Sequence, residues 1–292
     1  MKIKPLLPLL LFLLSFLFLS CQREQKAAQN TNSIQIKGSD TIVNLVQVWA
    51  ERFVAENPDD YIGVTGGGSG TGFAALMNKT CDIAMASRKI EDSEIQEANR
   101  NGVFPFEFTV GFDGLAILVH KTNPIEQLTM EQLRDIFMGN VQNWKELGGA
   151  DLKIVILSRE SNSGTHLFFK EQVLRRGDAK AKEEFAPQAL LMPSSKAILD
   201  EISQNPNAVG YVGMGFSNEN VKTIKVASRG SLNFILPTAE NVLTWAYPIS
   251  RPLYLYTNGD PQNLVKRFID YALSDKGQRI VIETYFVPIR KL

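Results

Sequence analysis

The triplet Ser-Gly-Thr occurs twice in this chain, as Ser69-Gly70-Thr71 and as Ser163-Gly164-Thr165. A third stretch of similar chemistry, Gly38-Ser39-Asp40-Thr41, precedes both. Each follows a strand-like run and opens a helix-like one. A helix start exposes backbone N–H groups that have no intrahelical acceptor, and the helix dipole adds partial positive charge there. Glycine lets a ligand approach the backbone, and Ser or Thr adds a hydroxyl donor. Residues of these types in this pattern suit an anion. A single serine in such a place is ordinarily just a helix cap. Three such loops, two with the same triplet, point to convergence on one ligand. Arg159, four residues before Ser163, adds a guanidinium able to hold two oxygens of a tetrahedral anion. Arg88, at the end of another strand-like run, is a second cation of the same kind, although either arginine has acidic neighbours, Glu160 and Asp92, with which to pair.

Common glycine motifs do not fit. Gly67 and Gly72 have the spacing of a nucleotide P-loop, but Phe73 stands where that motif needs lysine. The dinucleotide pattern Gly-x-Gly-x-x-Gly, begun at Gly66 and Gly68, meets Thr71, and so does the hydrolase elbow Gly-x-Ser-x-Gly. A serine-dependent hydrolase with Ser69 or Ser163 as nucleophile and His166 as base remains an alternative on paper. No spacing marks a third group to orient that histidine. His120 ends an apolar strand and reads as structural. Two histidines and two cysteines without ligand spacing imply neither metal nor cofactor.

The elements that carry these loops are legible from periodicity. Ser33 to Lys37 alternates as a strand, and Ile42, Leu45, Val46, Trp49 and Phe53 recur at helical spacing up to Asn57-Pro58. Strands follow at 61–65 and 82–86, with a helical face at Phe73, Leu76 and Met77 between them. Leu115 to His120 is a further strand, and Thr129 with Gln132 forms a capping box for a helix ending before Gly139. Strands at 154–157 and 209–212 and a helix at 165–174 belong to a second α/β unit, and a late segment, with a strand at 252–257 and a helix at 264–273, fits either unit. Alternating strands and helices predict an α/β fold with parallel pairings.

Bulk composition bounds the function. The chain has 292 residues, 44% hydrophobic and 21% charged, enough for two modest domains. Its 31 basic and 31 acidic residues cancel, without a basic stripe, which argues against nucleic acid as a partner. Lys2 and Lys4 precede an uncharged run from Leu6 to Leu19, too short to span a bilayer and suited to a secretory leader over residues 1–20. Leu19-Ser20-Cys21-Gln22 resembles the lipobox of bacterial lipoproteins, with Phe18 where leucine is commonest. Cys21 is the expected lipidation site and 21–33 a polar tether. Loss of 1–20 removes two lysines and no acids, leaving 29 − 31 = −2. Cys81, alone in Cys-Asp-Ile-Ala-Met-Ala, is expected as a small buried hydrophobe.

Read in order, the motifs resemble the phosphate-binding component of bacterial ABC phosphate transporters. The resemblance rests on Gly38-Ser39-Asp40-Thr41, Gly66 through Gly72, Asp82 through Arg88, Ile136-Phe137-Met138-Gly139 with Asn143-Trp144, Ser158-Arg159 through Thr165, and Val209-Gly210-Tyr211-Val212-Gly213. They span about 34–290. It implies a two-lobed periplasmic-binding-protein type II fold with the ligand in the cleft between lobes. Lobe one would take 32–115 plus 250–292, and lobe two 116–249. The implied function is extracytoplasmic capture of inorganic phosphate and delivery to membrane permease subunits, by a monomer lipid-anchored to a bacterial membrane, periplasmic or cell-surface, without turnover. Carried over by motif, the ligand contacts would come from Ser39, Thr41, Ile42, Ser69, Arg88, Arg159, Ser163, Gly164 and Thr165, with Ile42, Gly164 and Thr165 donating backbone N–H groups.

One departure bears on selectivity. The best-known branch of that family has an aspartate where this chain has Arg88. That carboxylate accepts the phosphate proton and so rejects sulfate, and arginine accepts no hydrogen bond. Either Asp40 or Glu160 would take over as acceptor, or Arg88 and Arg159 together would hold dianionic phosphate. A binder of another oxyanion, such as sulfate or molybdate, stays open, as does a lipid-anchored adhesion or signalling protein reusing the fold.

Overall fold

The computed structural model describes residues 32–178 and 180–292, so the leader, Cys21 and nearly all of the 21–33 tether lie outside the described residues. Strand β1 (Ser33–Gly38) buries Ile34 and Ile36 on one face, as its alternation requires. It pairs in parallel with β2 (Tyr61–Thr65) and β3 (Ile83–Ala86). Helix α1 (Val43–Glu56) links β1 to β2 and buries Leu45, Val46, Trp49 and Phe53 along one stripe. Helix α2 (Ser69–Met77) links β2 to β3, and α3 (Asp92–Arg100) follows β3. With α8 (Asn263–Leu273) and α9 (Asp275–Glu283) from the end of the chain, α1 covers one face of the sheet and closes an apolar core around Ile36, Trp49, Met85, Leu253 and Phe268, while α2 and α3 cover the other face through Phe73, Leu76 and Ala98.

The second lobe is built on β6 (Val155–Arg159), β7 (Leu190–Met192) and β8 (Ala208–Gly213), paired in parallel in the order β8-β6-β7. Helix α4 (Met130–Phe137) carries the capping box at Thr129 and Gln132, both bonds formed, as its sequence predicts. Helix α5 (Gly164–Phe169) continues into a π-helical turn over Lys170–Leu174, and α6 (Ser195–Gln204) packs on β8. The core of this lobe gathers Phe137, Trp144, Phe169 and Tyr211, with Phe169 and Tyr211 stacked at 3.9 Å.

Two long strands join the lobes. The sequence predicts a strand beginning at Leu115, but β4 runs from Pro105 to His120. Its first part pairs antiparallel with β11 (Ser250–Asn258), and its second part pairs with β8 and with β9 (Val221–Ala227), which also pairs with the short β5 (Gln127–Thr129) and β10 (Phe234–Ile235) ahead of α7 (Ala239–Leu243). The pairing with β11 explains the extra length: those residues are half exposed and too weakly patterned to be recognised alone. The chain passes between the lobes along β4 and again where it enters β11, and Asp113 and Arg251 face each other in register at these two crossings, at the floor of the cleft. Among the described residues, no helix is long and apolar enough to cross a membrane.

Candidate functional site

Five hydroxyl side chains meet where the lobes touch. Ser39 and Thr41 follow the end of β1, Ser69 opens α2, Ser87 follows β3, and Thr165 lies in the first turn of α5. All five are buried. Thr41 Oγ1 and Thr165 Oγ1 lie 2.6 Å apart across the lobes. Ser39 Oγ donates to Ser87 Oγ at 3.0 Å, and Ser87 Oγ lies 3.4 Å from Ser69 Oγ and 3.5 Å from Thr165 Oγ1. The loops carrying them follow the carboxyl ends of parallel strands, where open α/β sheets bind ligands.

Directionality within the cluster follows from its backbone partners. Ser39 Oγ accepts the Thr41 N–H and gives its own proton to Ser87. Ser69 Oγ accepts the Ser87 N–H at 3.1 Å, and Thr41 and Thr165 each accept from Arg251 Nη2, at 3.3 and 3.1 Å. A hydroxyl that accepts a bond from a neighbouring N–H keeps its own O–H as a donor. The cluster is therefore rich in donors.

Beneath the hydroxyls lies an ion pair. Arg251, near the start of β11, donates through Nε at 3.0 Å and Nη2 at 2.8 Å to Asp113 Oδ2 on β4. Its Nη1 donates to Ser87 O at 2.9 Å, and Asp113 Oδ1 accepts the Met214 N–H at 2.9 Å. Arg251 is 1% exposed and Asp113 0%, so neither charge reaches bulk water and each compensates the other. Burial pushes the Asp113 carboxyl up from its ordinary value, against the opposing pull of Arg251's charge and N–H groups. Burial likewise lowers Arg251.

The structure brings together only part of the predicted set. Ser39, Thr41, Ser69 and Thr165 enter the cluster. Gly164 lies against Ser69: a Cβ there would stand 2.3 Å from Ser69 Oγ, so only glycine permits this approach. Ser163 is the N-cap of α5, its Oγ accepting from the His166 N–H. Ile42 is the N-cap residue of α1, with its side chain in the core of lobe one.

The two predicted arginines are placed differently. Arg88 gives both terminal nitrogens to Glu94, at 2.7 and 2.6 Å, and lies over the Phe73 ring. Glu94 is already fixed at the start of α3 by the capping box with Glu91, and this preset carboxylate draws Arg88 out of the cluster. Arg159 donates to Met192 O, Ser195 Oγ, Pro193 O and, at 2.6 Å, Asp40 Oδ2. Four of its N–H groups are thus committed to protein acceptors. Asp40 in turn accepts from Arg159 and from the Gly67 N–H, while Glu160 is exposed. Neither carboxylate proposed as a proton acceptor faces the hydroxyls.

Asp113 and Arg251 escape sequence reasoning because 138 residues separate them. A signal was available for the first. Asp113 is the one charge in the apolar run from Val110 to Val119, and a buried carboxylate needs a cation. Nothing local names which cation.

Comparison with known proteins agrees with this geometry. Residues 25–276 match the model of the PBP superfamily domain. The phosphate-binding protein PstS of Pseudomonas aeruginosa is 34% identical, over 91% of this chain and 85% of its own length. Its Bacillus subtilis counterpart is 31% identical, over 92% of this chain and 84% of its own. A Clostridium perfringens protein solved with bound phosphate superposes with a TM-score of 0.80 at 33% identity, covering 89% of this chain and all of that one. An ABC-type phosphate transport receptor from Vibrio cholerae gives 0.70 at 32% identity, covering 87% of this chain and 99% of that one. The two-lobed fold, the order of the loops and these relatives converge: this chain belongs to the PBP superfamily and, within it, to the family of bacterial phosphate-binding proteins.

Proposed function

We propose that this chain captures inorganic phosphate between its lobes, outside the cytoplasm, and delivers it to an ABC importer. The observation that carries the reading is the buried Arg251–Asp113 pair beneath hydroxyls drawn from both lobes. An anion entering the cluster replaces the hydroxyl–hydroxyl bonds with bonds to its own oxygens. Thr41, Ser69 and Thr165 would donate, and Arg251 Nη2 would supply charge at the floor. Hydrogen bonds to a charged oxyanion are about twice as strong as neutral ones, which offsets the loss of the anion's water. Lobe one, 32–115 plus 250–292, and lobe two, 116–249, would close on the ligand by bending at β4 and β11. The chain would act as a monomer, held at the membrane through Cys21, and dock on permease subunits.

Asp113, rather than Asp40 or Glu160, is the carboxylate that governs the site. It orients Arg251 and balances its charge, so the cluster carries no net charge before the anion enters. Titration calorimetry of the domain from Gln22 onward, with phosphate and then sulfate, tests the reading. Tight phosphate binding with silent sulfate supports it, and loss of that preference in Asp113→Asn would assign selectivity to the buried pair. Binding of neither anion overturns it.

A second reading, a receptor that also takes sulfate, is favoured by the saturation of both inner carboxylates. Asp40 is paired with Arg159 and Asp113 with Arg251, so the proton of phosphate meets hydroxyls rather than a free carboxylate. Comparable affinities for the two anions in the same titration would establish it. Turnover has no support in the geometry. His166 Nδ1 faces Ser158 Oγ at 3.1 Å, and Ser158 in turn meets Tyr211 Oη at 2.7 Å. The histidine is thus engaged away from Ser69 and serves the support of α5, and phosphate esters should remain intact.

A further inference from the structure

A second set of contacts crosses the cleft without using the hydroxyl cluster. Asp40 of lobe one stands between Ser39 and Thr41. Its Oδ2 accepts from Arg159 Nη2 of lobe two at 2.6 Å, and its Oδ1 accepts the Gly67 N–H at 2.9 Å. One carboxylate thus ties together the loop after β1, the loop before α2 and the end of β6. The same three loops carry Ser39, Thr41, Ser69 and Thr165. Arg159 is held rigid for this contact by three further bonds, to Met192 O, Pro193 O and Ser195 Oγ. The pair is well shielded, with side chains 2% and 16% exposed. Asn162 reinforces the seam at its solvent-facing edge. Its Nδ2 donates to Gly67 O at 2.8 Å and to Thr71 Oγ1 at 3.2 Å, and its carbonyl accepts the Gly70 N–H at 3.0 Å. Gly68, at a φ of 95°, supplies the turn that lets this backbone approach Asn162.

We propose that Asp40 and Arg159 form a latch across the cleft: Asp40 is a positioning residue that holds the closed arrangement, and not a ligand to the anion or its proton acceptor. This rests on the anion-capture reading above. The physical consequence is kinetic. Encounter occurs in the open arrangement, where the latch is parted, so its loss leaves the association rate unchanged. Escape requires the closed arrangement to part, so loss of a shielded, hydrogen-bonded charge pair falls on the dissociation rate. A residue that contacted the anion would instead change the preference for phosphate over sulfate, and a residue that merely supported the fold would lower the melting temperature without separating the two rates.

Asp40→Asn is the decisive variant, because its amide oxygen still accepts the Gly67 N–H while the charge is gone. Stopped-flow mixing of the domain from Gln22 onward with phosphate, followed by intrinsic tryptophan fluorescence, gives both rates. The latch predicts dissociation faster by on the order of 30-fold, association within about two-fold, and an unchanged phosphate-to-sulfate ratio. Asp40→Glu should restore part of the slow dissociation. Small-angle scattering, with and without phosphate, should show the Asp40→Asn protein shifted toward the open form, a readout that does not need the anion to bind. Wild-type protein that binds no phosphate overturns the capture reading, and scattering then still decides the latch. Unchanged dissociation and unchanged scattering in a folded Asp40→Asn protein overturn the latch itself.

Discussion

Arg251 and Asp113 are joined by two hydrogen bonds to a single carboxylate oxygen, and the Nη2 that makes the shorter of them also reaches Thr41 in lobe one and Thr165 in lobe two. One guanidinium therefore connects the floor of the cleft to a hydroxyl from each side. Arg251→Lys keeps a charge but loses the fork, so it cannot serve Asp113, Ser87 and both threonines together. We expect phosphate affinity to fall by on the order of 100-fold, about 3 kcal/mol, the low end for breaking a buried pair. Calorimetry on protein shown by circular dichroism to be folded checks this.

Gly164 offers a test of closure that leaves the chemistry intact. A Cβ at this position would lie 2.3 Å from Ser69 Oγ and 2.9 Å from Ser87 Oγ, both in the opposite lobe. Alanine is otherwise welcome in the first turn of a helix. Gly164→Ala should therefore hold the lobes apart while each folds normally. The expected outcome is phosphate binding weakened by on the order of 100-fold with little change in the melting temperature of the anion-free protein. Near-native affinity would mean that the lobes need not approach this closely.

His166 should make stability fall in mild acid. Burial, with the charge of Lys170 adding to it, pushes the imidazole from 6.5 down to about 4. Between those values the unfolded chain takes up a proton that the folded chain refuses. The contribution is fully present above pH 6.5 and is lost as pH falls toward 4, amounting to about 3 kcal/mol. Urea unfolding across this range should show the slope in the wild type and a flatter profile in His166→Gln.

Cys81 should be inert in the native protein. It is buried, and burial together with the neighbouring Asp82 charge pushes the thiol up to about 12. In the domain from Gln22 onward, a thiol reagent at pH 8 should react only after denaturant is added. Rapid labelling of the folded domain would show that this core opens locally.

Much of the fold was legible because it is encoded by neighbours. The alternation at Ser33–Lys37, the helical stripe from Ile42 to Phe53 and the capping box at Thr129 and Gln132 are all local patterns, and each forms as read. Ser39, Thr41, Ser69 and Thr165 were identifiable because a hydroxyl beside a glycine at a helix start carries its chemistry in its immediate surroundings. The arginines were not. Where a long cation points depends on which carboxylate is already fixed within reach, and that is a matter of distance in space. Arg88 finds Glu94, Arg159 finds Asp40 from 119 residues away, and Arg251 finds Asp113 across 138. The sequence by itself determined that this protein has two α/β units whose helices start in loops of glycine, serine and threonine. Only the tertiary structure, by desolvating three cations and requiring a partner for each, decided which one faces the cluster and which one joins the lobes.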